Sequence, residues 1–108
     1  MKWKISNRVQ VGAHEYRIVR DDKELALLDY WGLLSQGRSK IIIGSQPTIS
    51  QQLETLIHEL LHLSLRTFGH IASEKKEEQL VRLIGAGLAQ ALLSMGLEPD
   101  FRNIVEEK

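Results

Sequence analysis

The stretch from Thr48 to Gly69 constrains the fold of this chain more than any other. Thr48 with Gln51 three residues later is a capping-box start. Apolar residues recur at helical spacing from Ile49 to Phe68, and Gly69 is the C-terminal stop. Inside the segment stands His58-Glu59-Leu60-Leu61-His62, an HExxH. A spacing of four is just over one helical turn, so the two imidazoles lie one above the other on the same face. From there both reach a single divalent ion, and Glu59 between them is left free to handle a proton.

A helical wheel at about 100° per residue divides this helix unequally. Gln51, Gln52, Thr55, Glu59 and Arg66 gather with the two histidines in roughly a third of the circle. Leu53, Leu56, Ile57, Leu60, Leu61, Leu63 and Phe68 fill most of the rest. The helix is therefore expected to be mostly buried, with one polar wedge carrying the motif.

A second helix is expected from Ser73, a good N-cap, to Met95, stopping at Gly96, with Pro99 preventing continuation. Glu74 suits its first turn. Its apolar stripe reads Leu80, Val81, Ile84, Leu88, Ala91, Leu92 and Met95, and Glu77 falls near the middle of that stripe. A carboxylate aimed into a core is costly unless paired or bound to a metal. Glu77 is thus the expected third ligand, with Glu78, a quarter-turn away at the stripe's edge, as the next choice. His70, just past Gly69, is a further alternative in an all-histidine site. Gly85 and Gly87, inside a helix that disfavours glycine, fit either a close approach of the two helix backbones or ordinary tight packing.

The first part of the chain reads as strands. Val9 and Val11 alternate, as do Tyr16 and Ile18, with Gly12-Ala13-His14 as a turn between them. Glu24 to Tyr30 reads as a short helix or a loop. Trp31 to Leu34 and Lys40 to Ile43 flank a Ser-Gln-Gly-Arg-Ser segment in a hairpin pattern. Ile41-Ile42-Ile43 reads as a well-buried strand. The fold class is α+β: a small N-terminal antiparallel or mixed sheet followed by two packed helices. One domain is expected over 1–108, with a β-rich part at 1–46, the HExxH helix at 48–68, the second helix at 73–96 and a tail at 97–108 that holds one helical turn or frays.

Composition narrows the function classes. Fourteen basic residues balance fourteen acidic ones, and no basic run stands out, so no nucleic-acid footprint is expected. There is no cysteine. Any metal must therefore be held by histidine and carboxylate, for which zinc is the expected ion, although iron, cobalt or manganese also suits the donor set. No window approaches the roughly 18 apolar residues of a membrane span, and no signal-peptide pattern follows Met1. The expectation is a soluble, cytoplasmic protein with no membrane partner.

With uncharged residues around the motif (Thr55-Leu56-Ile57, Leu60-Leu61, Leu63) and a carboxylate following on the next helix, the chain resembles the zincin metallopeptidases. Its His-His-Glu set looks like the gluzincin branch, and Glu77-Glu78-Gln79-Leu80 is similar to that branch's ligand segment. The resemblance covers roughly Ile41 to Leu93 and is strongest to the small single-domain zincin-like proteins of phage and bacterial genomes. It implies a minimal zincin core with His58, His62 and Glu77 as ligands, Glu59 as the catalytic glutamate, and a peptide or protein as substrate. The metzincin extension, which needs glycine at Leu65 and histidine at Phe68, is excluded. Ser64 stands where the extended motif usually has an apolar residue.

The expected activity is that of a zinc metalloendopeptidase. The alternative is a catalytically weak or inactive zinc-binding interaction module of the same fold, which the short chain favours because no large second domain walls a cleft. The strand Lys40 to Gly44 is expected to offer its edge to an extended peptide, and a tail folded over the site would hold it latent. Tyr16, Tyr30 and Arg66 are candidates for stabilising an oxyanion, with core or surface roles as the simpler reading. His14 is expected to be solvated.

Overall fold

In a computed structural model of the chain, residues 2–69 and 73–107 are described. The α+β architecture is the expected one. Strands β1 (Lys2–Lys4), β2 (Arg8–Val11) and β3 (His14–Val19) come first. Helix α1 (Asp22–Leu28), strands β4 (Gly32–Ser35) and β5 (Lys40–Ile43), helices α2 (Ile49–Phe68) and α3 (Glu74–Ser94) and strand β6 (Glu98–Asp100) follow. The main sheet has the order β2-β3-β5-β4. β2 and β3 form a hairpin at Gly12, whose φ of 64° suits glycine. β5 runs parallel to β3 and antiparallel to β4.

β5 lies inside the sheet and is buried along its whole length. It therefore has no edge to offer a peptide, contrary to expectation; the edge strands of this sheet are β2 and β4, and β4 is the one beside β5. The three isoleucines of β5 alternate between two cores. Ile41 and Ile43 pack on the α2 side with Leu53, Leu56, Ile57 and Leu63. Ile42 packs on the other side with Val19 and Leu25 of α1. Strand alternation on a doubly covered sheet explains why a continuous β-branched run was favoured here.

The region Glu24 to Tyr30 is resolved in favour of helix: Asp21 caps α1 by accepting from the Glu24 amide. The Thr48–Gln51 capping box and the Ser73 cap form as read. The apolar stripe of α3 forms only in part: Val81 is buried and Leu92 packs against the main core. The buried line of the helix is Glu77, Val81, Gly85 and Ala89, whereas Ile84 is 44 % exposed, Leu88 43 % and Met95 82 %. A Cβ on Gly85 would meet only ordinary contacts, 3.9 Å from the His58 Cα and 3.5 Å from a Leu61 methyl, which is tight packing of the two helices and not a backbone approach that demands glycine. Gly87 has open space instead. Phe68 is also exposed.

The described part of the tail does not fray, and it holds one hydrogen-bonded turn, in which the Ile104 amide donates to the Phe101 carbonyl at 2.9 Å. β6 pairs in parallel with β1, and Phe101 and Ile104 enter the main core. Beyond them Arg20 and the segment Val105–Glu107 exchange backbone hydrogen bonds. Glu107 closes the arrangement on the buried Lys40 and on Arg17. Among the described residues, none of the tail lines the cleft that contains the HExxH. Among the described residues no helix is long and apolar enough to cross a membrane.

Candidate metal centre

The α2 periodicity presents His58 and His62 to one side of the helix, with ring centroids 4.9 Å apart in an edge-on arrangement. The next helix brings Glu78 against them. One carboxylate oxygen lies 3.2 Å from His58 Nε2 and the other 2.7 Å from His62 Nε2. Imidazole nitrogens facing carboxylate oxygens at these distances need a donated hydrogen or a cation between them. The three ligand atoms lie within 4.8 Å of one another. Ligand atoms of a tetrahedral site with arms of about 2.0–2.1 Å stand roughly 3.3 Å apart, a spacing close to that of this set. The group His58, His62 and Glu78 thus fits a metal ion. Burial pushes the His58 pKa down, partly offset by the Glu78 charge. That favours the neutral imidazole, the form that ligates metals. The Glu78 carboxyl is pushed up by its partial burial, but its bonds to Arg82 and the histidines outweigh this and hold it below the usual range.

Glu77 occupies a different place from the one expected. It is buried and turned away from the cleft. Its Oε2 accepts from Nδ1–H of His62 at 2.7 Å and from Nε–H of Arg66 at 3.0 Å. A carboxylate on the second ring nitrogen of a metal-ligating histidine orients the ring and sets its tautomer. A carboxylate inside the stripe needs a partner, and here that partner is the imidazole and a guanidinium. The quarter-turn between adjacent residues decides the outcome: position 77 faces the interior of the α2–α3 contact, and position 78 faces its open rim. His70 lies outside the described residues.

Glu59 is held next to this group under the edge strand. A Cβ on Gly32 would come within 2.3 Å of the Thr55 methyl and 3.7 Å of the Glu59 Cγ. Glycine is therefore what lets β4 pass so closely over α2. Burial raises the Glu59 pKa, opposed by the charges of His62 and Arg66 and by the Leu34 backbone amide. A carboxylate that holds a proton more readily than usual, beside a metal-ligand set, is suited to accepting and returning one.

A cleft of about 670 Å³ opens over these groups, with Gly32, Leu33 and Leu34 of β4 on one side and His58, Glu59, His62 and Glu78 on the other. Tyr30, Trp31, Arg66 and Arg82 also line it. Arg82 donates from Nε to Glu78 at 3.0 Å, one turn further along α3. Tyr16 is a core residue and His14 is exposed on β3. Sequence reasoning passed over Gly32, Trp31 and Arg82. For Arg82 there was a signal, its i,i+4 spacing from Glu78. For Gly32 and Trp31 there was none, because their roles arise from strand-over-helix contact. No protein-family model matches the chain, no curated protein matches it, and no solved structure matches it.

Proposed function

We propose that the chain is a zinc-dependent peptide hydrolase of the zincin type, with His58, His62 and Glu78 as ligands and Glu59 as the proton-transferring carboxylate. One observation carries this reading: three donor atoms from two helices lie within 4.8 Å of one another beside a half-buried glutamate, in a cleft bordered by an edge strand. Two nitrogens and a carboxylate without thiolate form a donor set that zinc accepts in hydrolytic sites. The bound ion supplies a Lewis acid that makes water acidic and polarises a carbonyl. Glu59 takes the proton of the attacking water and passes it to the departing amine. Glu77 and Arg66 hold the His62 ring in place through this cycle. Arg82 steadies the Glu78 carboxylate. The unpaired side of β4 supports an extended peptide aligned by backbone hydrogen bonds, which puts its carbonyls over the ligand group.

The test is Glu59→Gln, assayed on a library of unfolded peptides. The variant is expected to bind zinc in a one-to-one ratio and to lose at least about 100-fold in cleavage rate. Cleavage at the wild-type rate would remove Glu59 from its role. Stoichiometric zinc in a wild-type protein that cleaves nothing would leave the binding module of the same fold.

A further inference from the structure

We propose that a second, apolar pocket beside the metal cleft is a specificity subsite that takes an aliphatic or aromatic side chain of the same bound peptide. This rests on the cleft being the peptide site described above. The pocket, about 360 Å³, is bordered by Leu25 and Ala26 of α1, by Tyr30 and Trp31 in the α1–β4 link, and by Pro47 and Gln51 at the start of α2. Tyr30, Trp31 and Gln51 line both it and the metal cleft. The two hollows therefore share a wall, and a ligand lying along β4 reaches the second without leaving the first.

The spacing suits one peptide. Gly32 and Leu34 lie over Glu59, and Trp31 and Tyr30 are the next residues along the same chain. At about 3.3 Å per extended residue, a peptide aligned with β4 brings a side chain to the Tyr30–Trp31 wall within about three residues of the bond over Glu59.

The chemistry of the pocket points to an apolar occupant. Asp22, Gln46 and Gln51 also border it, but the Asp22 carboxylate already accepts from the Ser45 amide at 2.8 Å and from the Ser45 hydroxyl, and the Gln51 side-chain oxygen accepts from the Thr48 amide at 2.9 Å. Leu25 is almost fully buried, whereas Tyr30 is 54 % and Trp31 58 % exposed. Large aromatic rings left this open at the mouth of a cleft are the residues that dominate recognition energetics elsewhere.

The walls are also held in advance of any ligand. Asp29 takes the left-handed conformation, φ 57°, and caps α1, so the chain turns sharply out at Tyr30. The Tyr30 amide donates to the Leu25 carbonyl at 3.0 Å, and the Gly44 amide donates to the Trp31 carbonyl at 3.0 Å. A Cβ on Gly44 would crowd that same carbonyl at 3.2 Å and a Leu25 methyl at 3.3 Å. Each contact fixes an aromatic residue relative to α1 and β5.

The experiment uses zinc-loaded full-length Glu59→Gln protein, titrated calorimetrically with ten-residue Ser/Gly peptides that carry a single Phe, Leu, Lys or Ser at each position in turn. Phe and Leu peptides are expected to bind at least tenfold more tightly than Ser or Lys peptides. Ala26→Glu, a change at an exposed helix position, is expected to abolish the difference while zinc binding stays unchanged. Trp31→Ser is expected to reduce it. Equal binding of all peptides, no binding of any, or an apolar preference that survives both substitutions overturns the subsite. Cleavage by the wild-type protein is read separately on the same peptides. Selective binding without cleavage refutes the hydrolase and keeps the subsite; cleavage without selectivity does the reverse.

Discussion

Gly32→Ala tests the closest contact between the sheet and the motif helix. The new Cβ would stand 2.3 Å from the Thr55 methyl, against about 3.5–4.0 Å for a carbon pair in contact. More than an ångström must be found. Thr55 cannot turn away without loss, because its hydroxyl donates to the Gln51 carbonyl at 2.9 Å, a bond worth roughly 0.5–1.5 kcal/mol. Moving β4 instead would disturb its ladder with β5 and lift the Leu34 amide from Glu59. Overpacking of this kind costs about 1–3 kcal/mol. For a domain of this length that lowers the melting temperature by roughly 4–12 °C, measurable by urea and thermal denaturation followed by circular dichroism. Thr55→Ser removes the offending methyl and keeps the hydroxyl. In the Gly32→Ala background it is expected to recover at least about 1 kcal/mol in a double-mutant cycle, leaving only the Ile42 carbonyl, at 3.2 Å from the new Cβ, to be accommodated. If Gly32→Ala is as stable as the wild type, or Thr55→Ser rescues nothing, the close passage of β4 over α2 is incorrect.

Three other outcomes follow from the geometry. Glu77→Gln should weaken zinc binding by about 10–100-fold in a chelator competition without abolishing it, whereas Glu78→Ala, which removes a ligand, should weaken it more; the reverse order would restore Glu77 as the ligand. Phe101→Ala should destabilise by about 3–5 kcal/mol, because the ring is only 4 % exposed in the main core; a frayed tail would make the change almost silent in denaturant titration. The hydrogen bond from Lys40, aided by the charges of Lys40 and Arg17, holds the Glu107 carboxyl below its usual range against the upward push of burial. A carboxylate with a depressed folded pKa contributes stability above its unfolded value, near 4.5, and loses it as pH falls through the folded value. Glu107→Gln should therefore lower the melting temperature at neutral pH, and the gap from wild type should close as both proteins are taken below about pH 4; a gap independent of pH would rule out the ion pair as its source.

Much of the fold could be read from local pattern. The capping box at Thr48, the Ser73 cap, the Gly12 turn and the β-branched run at Ile41–Ile43 depend on residues within one turn or one hairpin of each other, and each forms as read. The tail escaped because its apolar residues, Phe101 and Ile104, show no period; they are placed by contacts with Ile5 and the sheet that are remote in sequence. The α3 stripe misled for a related reason. Hydrophobicity identifies residues that favour burial, but the rotation of α3 puts Glu77, Val81, Gly85 and Ala89 on its buried line and leaves Ile84 44 % and Leu88 43 % exposed.

The same division holds at the candidate metal centre. The sequence alone determined that His58 and His62 share a face with Glu59 between them, because helix geometry sets that from the i,i+4 spacing. It also determined that a carboxylate near the start of α3 would meet them. Which carboxylate stands at the rim with the ligands and which lies behind His62 depends on the rotation of α3 about its own axis. Which strand borders the cleft depends on the order of strands in the sheet. Both are set by how whole elements pack against one another, and no short window of residues carries that information.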